Sequence, residues 1–513
     1  MVFSSHLFLF YFLPAALILY YATPRRGKHL VLTLVSYVFY GWANPLFVVL
    51  MFASTVIDYL AGLAQTGQFH RSAWSRPVPR LPPLPERPCT TGPWYNWLLV
   101  PRIISWVRQQ DPLRTRGQKL AVVVTVANNL ALLGFFKYFN FGVENYNALM
   151  AALGFDQAVW ANFLRITLPL GISFYTFQSM SYAIDVYRGE ARAIRNFIDF
   201  ACYVAMFPQL VAGPIVRFQD IADQLEQRSY TAEKFARGAA FICLGLAKKV
   251  LLANSVGKVA DEAFNAASVG CADAWLGAVA YAFQIYFDFS AYSDMAIGLG
   301  LLTGFMFAKN FDSPYLSESI TEFWRRWHLS LSTWLRDNLY YPLGGNRAGK
   351  GRTYANLAMV MLLGGLWHGA AWNFVIWGGI HGAMLIVERL RGKHSLYERL
   401  PRPVKIGLTF TIVLFAWVFF RAPDLPSALR YCGSMLALND PGPLAGLVGG
   451  VILQPYYLLG ILICAIVAWA APQTWDFTRR ITWPKFAWIV AVFWAAVIVL
   501  ATQQYNPFIY FIF

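Results

Sequence analysis

Charge is scarce in this 513-residue chain. Only 13% of its residues are Asp, Glu, Lys or Arg, against 58% hydrophobic and a mean hydropathy of +0.45. A soluble domain carries about a quarter charged residues, so a water-soluble globular protein is excluded. Cysteine is also thin. Cys89, Cys202, Cys243, Cys271, Cys432 and Cys464 are scattered without paired spacing, which argues against both a disulfide framework and a zinc site. The first apolar span, Phe3–Tyr21, has no basic stretch before it and no small-residue cleavage site, so it does not read as a removable signal peptide. It is expected to stay as a helix with its N-terminus outside, because Arg25 and Arg26 follow it. No internal repeat is present.

What the chain does have is long apolar runs. They fall near Phe3–Tyr21, Leu30–Trp42, Pro45–Ala64, Leu120–Phe136, Thr167–Tyr187, Phe197–Val211 and Phe235–Ala253, then Trp275–Thr303, Tyr354–Leu366, Asn373–Leu390, Ile406–Phe420, Ile452–Ala470 and Phe486–Ala501. This predicts an all-α polytopic membrane protein of roughly 11–13 transmembrane helices. Several runs hold only about 13 residues, too few to cross upright, and are expected to be buried in protein or to line a wet cavity. The net charge of +16 comes from clusters at Arg25–Lys28, Arg71–Lys119 and Arg325–Arg352 at the ends of apolar spans. That is the positive-inside pattern, with anionic lipid headgroups as the natural partners. Nucleic-acid binding needs a soluble basic face, and none is evident.

The chain is expected to be one membrane domain over residues 1–513 with two special segments. Residues 65–118 form a basic, proline-rich cytoplasmic insert (Pro77-Val-Pro79, Pro82-Pro-Leu-Pro85) whose second half, Trp94 to Val107, suits an interfacial helix. Residues 317–352 are too polar to span and too aromatic for a free loop. Ser317, with Thr321 and Glu322 after it, is expected to start a re-entrant or in-plane helix that carries Trp324 and His328 on one face, and Pro342-Leu-Gly-Gly-Asn346 ends it.

Candidate chemistry gathers around this segment. An ionisable side chain at membrane depth is costly and is a functional hypothesis by default. His328 lies in Glu322-Phe-Trp-Arg-Arg-Trp-His328 and His368 in Gly365-Leu-Trp-His368-Gly369. Burial favours the neutral imidazole, which accepts a proton. His368 and His328 are therefore the catalytic candidates. A metal needs a third ligand. His381 is the local choice, but it stands 13 residues from His368, on another face of any continuous helix, so no metal site is expected. Arg325, Arg326 and Arg336, with Trp324 and Asn346 in the same stretch, are candidates for holding a phosphate-rich donor such as an acyl-coenzyme A, while topology alone also accounts for the arginines. Polar stripes on neighbouring spans, Tyr175 and Gln178 on one and Gln284, Asp288 and Tyr292 on another, are expected to line a cavity together with His381. Helix-to-helix hydrogen bonding is the commoner role for any one of them.

The blocks Tyr286-Phe-Asp-Phe-Ser-Ala-Tyr-Ser-Asp-Met-Ala-Ile-Gly298, Asn310-Phe-Asp-Ser-Pro-Tyr315, Glu322 to His328, Trp334 to Asn346, Leu363 to Gly369, Trp377-Gly-Gly-Ile-His-Gly382 and the tail Pro507 to Phe513 resemble the membrane-bound O-acyltransferases, in their alginate O-acetyltransferase branch. The resemblance implies a ring of tilted helices around a central tunnel in a bacterial inner membrane, with His368 as the invariant family histidine and His328 as the second active-site position. It also implies acetyl-coenzyme A as a cytoplasmic donor substrate with no permanently bound cofactor, a periplasmic partner resembling the SGNH hydrolases, and an exopolysaccharide, alginate first, as final acceptor. The insert at 65–118 is longer than that branch leads one to expect. D-alanyl transfer to teichoic acid, peptidoglycan or cellulose acetylation, and lipidation of a secreted protein are alternatives within the family. A polysaccharide-precursor transporter or flippase, or an inactive scaffold, would be a different class. A transporter explains broken helices and buried acids, but needs no tryptophan-flanked histidine pair.

Overall fold

The computed structural model describes residues 1–68, 114–155, 159–160, 163–392, 395–442, 445–503 and 505–509. Most of the basic insert, including the expected interfacial helix at Trp94 to Val107, and the last four residues lie outside the described residues. The rest is helical and forms two compact units, one of residues 5–229 with Met1, the other of residues 230–513 with Val2–Ser4.

In the first unit a π-helical turn at Leu7–Phe12 leads into α1 (Leu13–Ala22), followed by α2 (Lys28–Gly41), α3 (Pro45–Thr66), α4 (Arg116–Ala152), α5 (Ile172–Arg188), α6 (Phe197–Ala205) and α7 (Phe218–Glu226). Asn44 caps α3, where Pro45 takes the first position. Thr115 and Gln118 form a reciprocal capping box at the start of α4. α4 runs 37 residues, well past the apolar run at Leu120–Phe136, because Lys137-Tyr-Phe-Asn140 continues the helix instead of ending it. α3, α4 and α5 pack together. Asp58, fully buried on α3, accepts Asn129 Nδ2 from α4 at 3.0 Å on both carboxylate oxygens, a polar tie between two otherwise apolar spans.

The second unit is built on α10 (Cys271–Leu302), flanked by α8 (Ala232–Ala247) and α9 (Asn254–Asn265). The π-helical turn Lys248–Ala253 joins α8 to α9, and through it Lys248 and Lys249 both reach acids of α10, Asp294 at 2.8 Å and Asp288 at 2.7 Å. α8 and α10 meet backbone to backbone. A Cβ on Gly298 would sit 2.6 Å from the Gly238 carbonyl oxygen, so glycine is required at that crossing. Then come α11 (Ile320–Phe323), α12 (Leu329–Leu335), α13 (Lys350–His368), α14 (Trp372–Leu390), α15 (Arg402–Arg421), α16 (Leu425–Met435), α17 (Ala445–Ile452), α18 (Pro455–Ala470) and α19 (Trp483–Thr502).

Among the described residues five helical stretches are long and apolar enough to cross a membrane: α3, α4, residues 232–265, α15 and α19. The pair α17–α18, bent by 68°, makes a sixth if the two count as one broken span. That is fewer than the eleven to thirteen expected, and α10 shows one reason. Its stripe of Tyr, Gln, Asp and Ser lowers its hydropathy, but almost every residue from Gly277 to Leu302 is buried inside the unit. A helix sheathed by protein need not be apolar toward lipid. The chain is a multi-pass membrane protein, all-helical among the described residues.

Candidate active site

Both candidate histidines lie in the second unit. The segment carrying His328 is not the continuous helix expected from Ser317 onward. Ser317 Oγ donates to the Pro314 carbonyl at 2.7 Å, and Ser319 is the residue that caps, its Oγ accepting Glu322 N–H at 3.0 Å. Helix α11 stops at Phe323, after which the chain pairs with the loop before it: Asp312 N–H donates to Arg326 O at 2.9 Å and Leu329 N–H to Asn310 O at 2.9 Å. These long-range bonds replace helical ones. His328 takes the left-handed conformation at φ 45°, then α12 begins. Trp324 and His328 therefore do not share a helix face. Left-handed backbone at a non-glycine residue costs on the order of 1 kcal/mol or more and persists where its surroundings over-determine it.

The break sends the two side chains to different partners. His328, fully buried, packs its ring edge-on against Phe289 of α10 at 4.6 Å and lies 6.5 Å from the His368 ring. His368 closes α13 and is enclosed by Trp367 at 5.0 Å, Trp377 at 5.2 Å and Phe420 at 5.2 Å. Trp324 instead donates its indole N–H to His381 Nδ1 at 3.3 Å, and His381 stacks on Phe323 at 5.9 Å. His368 and His381 both touch Trp377 from consecutive helices, α13 and α14, which meet so closely that Gly365 and Gly378 abut the carbonyls of Phe374 and Met361. Among the described residues no three His, Cys, Asp or Glu side chains converge as a metal-binding group.

The candidates for donor binding divide. Arg326 is held internally: Nη2 and Nε contact Glu322 Oε1 at 2.7 and 2.9 Å, and Nη1 donates to the Asp312 carbonyl at 3.1 Å. Arg336 is exposed and pairs with Asp337 at 2.7 Å, which holds its guanidinium above the usual arginine range. Arg325 and Asn346 are exposed, and Trp324 is half-buried.

The cavity candidates divide as well. Tyr175 and Gln178 lie on α5 of the first unit, both fully buried, and neither Gln178 side-chain polar atom has a hydrogen-bond partner among the described residues. On α10, Gln284 Oε1 is likewise buried without a partner among the described residues. Asp288, however, is structural. It holds Lys249 at 2.7 Å and accepts Ile509 N–H at 2.8 Å. Tyr292 is stacked between Phe3 at 4.3 Å and Phe508 at 4.8 Å.

Two residues that sequence reasoning passed over shape the site. Asn310 bonds both the backbone and the side chains of the His328 turn. Glu388, 1% exposed near the end of α14, accepts Ile320 N–H at 2.8 Å and Thr321 N–H at 2.9 Å, clamping the N-terminus of α11. An acid near the end of an apolar span was the only signal for Glu388. Glu388→Gln places an amide N–H₂ against one of two backbone donors, so it should lower thermal stability by about 1–3 kcal/mol and lower turnover more than membrane insertion. A melting curve in detergent alongside an activity assay reads both, and unchanged melting would remove the clamp.

The histidine pair sits within residues 188–421, the part of the chain that matches the model of the MBOAT, membrane-bound O-acyltransferase, family. The chain is 42% identical to the "Probable alginate O-acetylase AlgI" of Pseudomonas putida over the full length of both chains, and equally to the protein of that name from Azotobacter vinelandii. It is 33% identical to the peptidoglycan O-acetyltransferase of Helicobacter pylori, over 86% of this chain and 80% of that one. The chain belongs to the membrane-bound O-acyltransferase family. It is an O-acyltransferase, and the transporter and scaffold alternatives fall away.

Proposed function

We propose that this O-acyltransferase takes an acetyl group from cytoplasmic acetyl-coenzyme A, carries it across the bacterial inner membrane, and supplies it for O-acetylation of alginate through a periplasmic partner resembling the SGNH hydrolases. The observation that carries the reading is the buried His328–His368 pair, ring centroids 6.5 Å apart, in a chain alike end to end with proteins named as alginate O-acetylases. Attack of a hydroxyl on the thioester carbonyl forms a C–O bond and breaks the C–S bond. The hydroxyl proton must leave as attack occurs, and His368 is the base that removes it, with His328 as its supporting partner. Exposed Arg325 and Asn346 remain for the donor's phosphates, whereas Arg326 and Arg336 already face carboxylates.

The test is a deletion strain complemented with the gene, with acetyl ester measured on secreted alginate and on peptidoglycan. Acetylation of alginate is the expected result. Ester appearing only on peptidoglycan would move the chain to the reaction for which its Helicobacter pylori relative is named.

A further inference from the structure

Asn310 decides which nitrogen of His328 carries the proton. Its Oδ1 accepts the Ser330 backbone N–H at 3.2 Å. A backbone N–H can only donate, so this atom is the amide oxygen and the assignment is not open to a flip. The same oxygen accepts Ser330 Oγ–H at 2.9 Å and faces His328 Nδ1 at 3.1 Å, while Asn310 Nδ2 donates to Ser293 Oγ at 2.9 Å. With an oxygen opposite it, Nδ1 must be the N–H, since two lone pairs at that distance would repel. Ser330 Oγ, 3.4 Å from Nδ1, does not compete at that range. The other nitrogen, Nε2, is then a bare lone pair, and it is buried with no hydrogen-bond partner among the described residues.

We infer that Asn310 is a positioning residue that locks His328 in its Nδ1–H form, so that Nε2 acts as a proton acceptor in acyl transfer and not as a hydrogen-bond donor to the thioester carbonyl. The inference rests on His328 belonging to the acyl-transfer site. An acceptor nitrogen cannot polarise a carbonyl by hydrogen bonding, which leaves His328 a proton relay. Nε2 receives the proton that His368 removes from the hydroxyl as the C–O bond forms, and surrenders it to the coenzyme A sulfur as the C–S bond breaks. No carboxylate bonds to His328 among the described residues. Around its ring lie Phe289 of α10, Phe311 of the preceding loop, Trp367 and His368 of α13, of which His368 alone titrates. A neutral amide behind Nδ1 sets the tautomer without raising imidazole basicity as a carboxylate would.

Solid-state NMR of protein labelled with ¹⁵N-histidine in lipid bilayers reads the tautomer without relying on activity, with the His328 signal assigned by difference against His328→Gln. The proton on Nδ1 is expected, and a proton on Nε2 overturns the inference. Asn310→Asp keeps the shape and every acceptor contact, with Ser293 turning to donate. It should move the acid limb of the kcat/KM profile for acetyl-coenzyme A upward by about one pH unit or more, and an unmoved limb overturns the relay. Asn310→Leu should lower kcat about a hundred-fold at little change in KM. Should that variant not fold, the aspartate variant and the NMR signal still decide. If acetyl-coenzyme A is not the donor, the kinetic arms are silent for wild type as well, and the tautomer still tests the structural claim.

Discussion

His368→Ala will lower acetyl transfer by about a hundred- to ten-thousand-fold, the usual contribution of a positioned general base, with KM for the donor little altered. The imidazole sits at the end of α13, 8% exposed, walled by Trp367, Trp377 and Phe420. Its removal takes away the proton acceptor without touching the exposed arginines that face water. Truncation in a packed aromatic site also leaves a void, so His368→Gln serves as the companion variant, keeping volume and hydrogen bonding but not basicity. Thiol release from acetyl-coenzyme A by purified protein, scaled to folded protein by size exclusion, gives the rate. Wild-type turnover in both variants would sink the assignment. His381 provides the contrast. It accepts the Trp324 indole N–H and stacks on Phe323, so His381→Gln should cost stability before it costs chemistry.

How much of this was legible in the sequence depends on how far each determinant lies along the chain. α10 was readable because its stripe is local: Gln284, Asp288 and Tyr292 recur every fourth residue. The histidines stood out because ionisable groups are rare in apolar runs. The form of the His328 turn was not readable. Helical signals continue past Phe323, and what stops the helix is Asn310, 18 residues upstream, and the Asp312–Arg326 backbone pair. The clamp on α11 comes from Glu388, 68 residues from Ile320. Spacing within a segment cannot announce partners that only folding brings together. The same holds for Arg326, which read as a free cation for a phosphate until Glu322 and the Asp312 carbonyl took its guanidinium. The stripe itself carried two meanings that periodicity could not separate. Gln284 keeps an oxygen with no partner among the described residues, while Asp288, one turn on, holds Lys249.

Asp288→Ala should be the most destabilising single change on α10, at about 3–5 kcal/mol, the cost of breaking a buried ion pair by removing one partner. Asp288 and Lys249 are 2% and 3% exposed at their side chains and 2.7 Å apart, so removing the carboxylate strands a buried amine without its counter-ion. The loss reaches further than the pair. Asp288 Oδ2 accepts Ile509 N–H at 2.8 Å, and Lys249 also donates to the Pro507 carbonyl, so the two side chains together hold residues 507–509 against the helix. Phe508 stacks on Tyr292 one turn further along, and Asn254 Nδ2 donates to the Tyr505 carbonyl at 3.2 Å. Replacing both members, Asp288→Leu with Lys249→Met, removes the stranded charge and should recover much of the melting temperature. It cannot restore the bonds to Pro507 and Ile509, whose backbone groups stay unpaired. The double variant should therefore melt near wild type yet lose its C-terminal residues to carboxypeptidase faster than wild type does. Equal digestion of the two would show that the aromatic stack and the Asn254 bond hold this segment without the ion pair, and equal melting of Asp288→Ala and wild type would show that the pair contributes nothing to the fold.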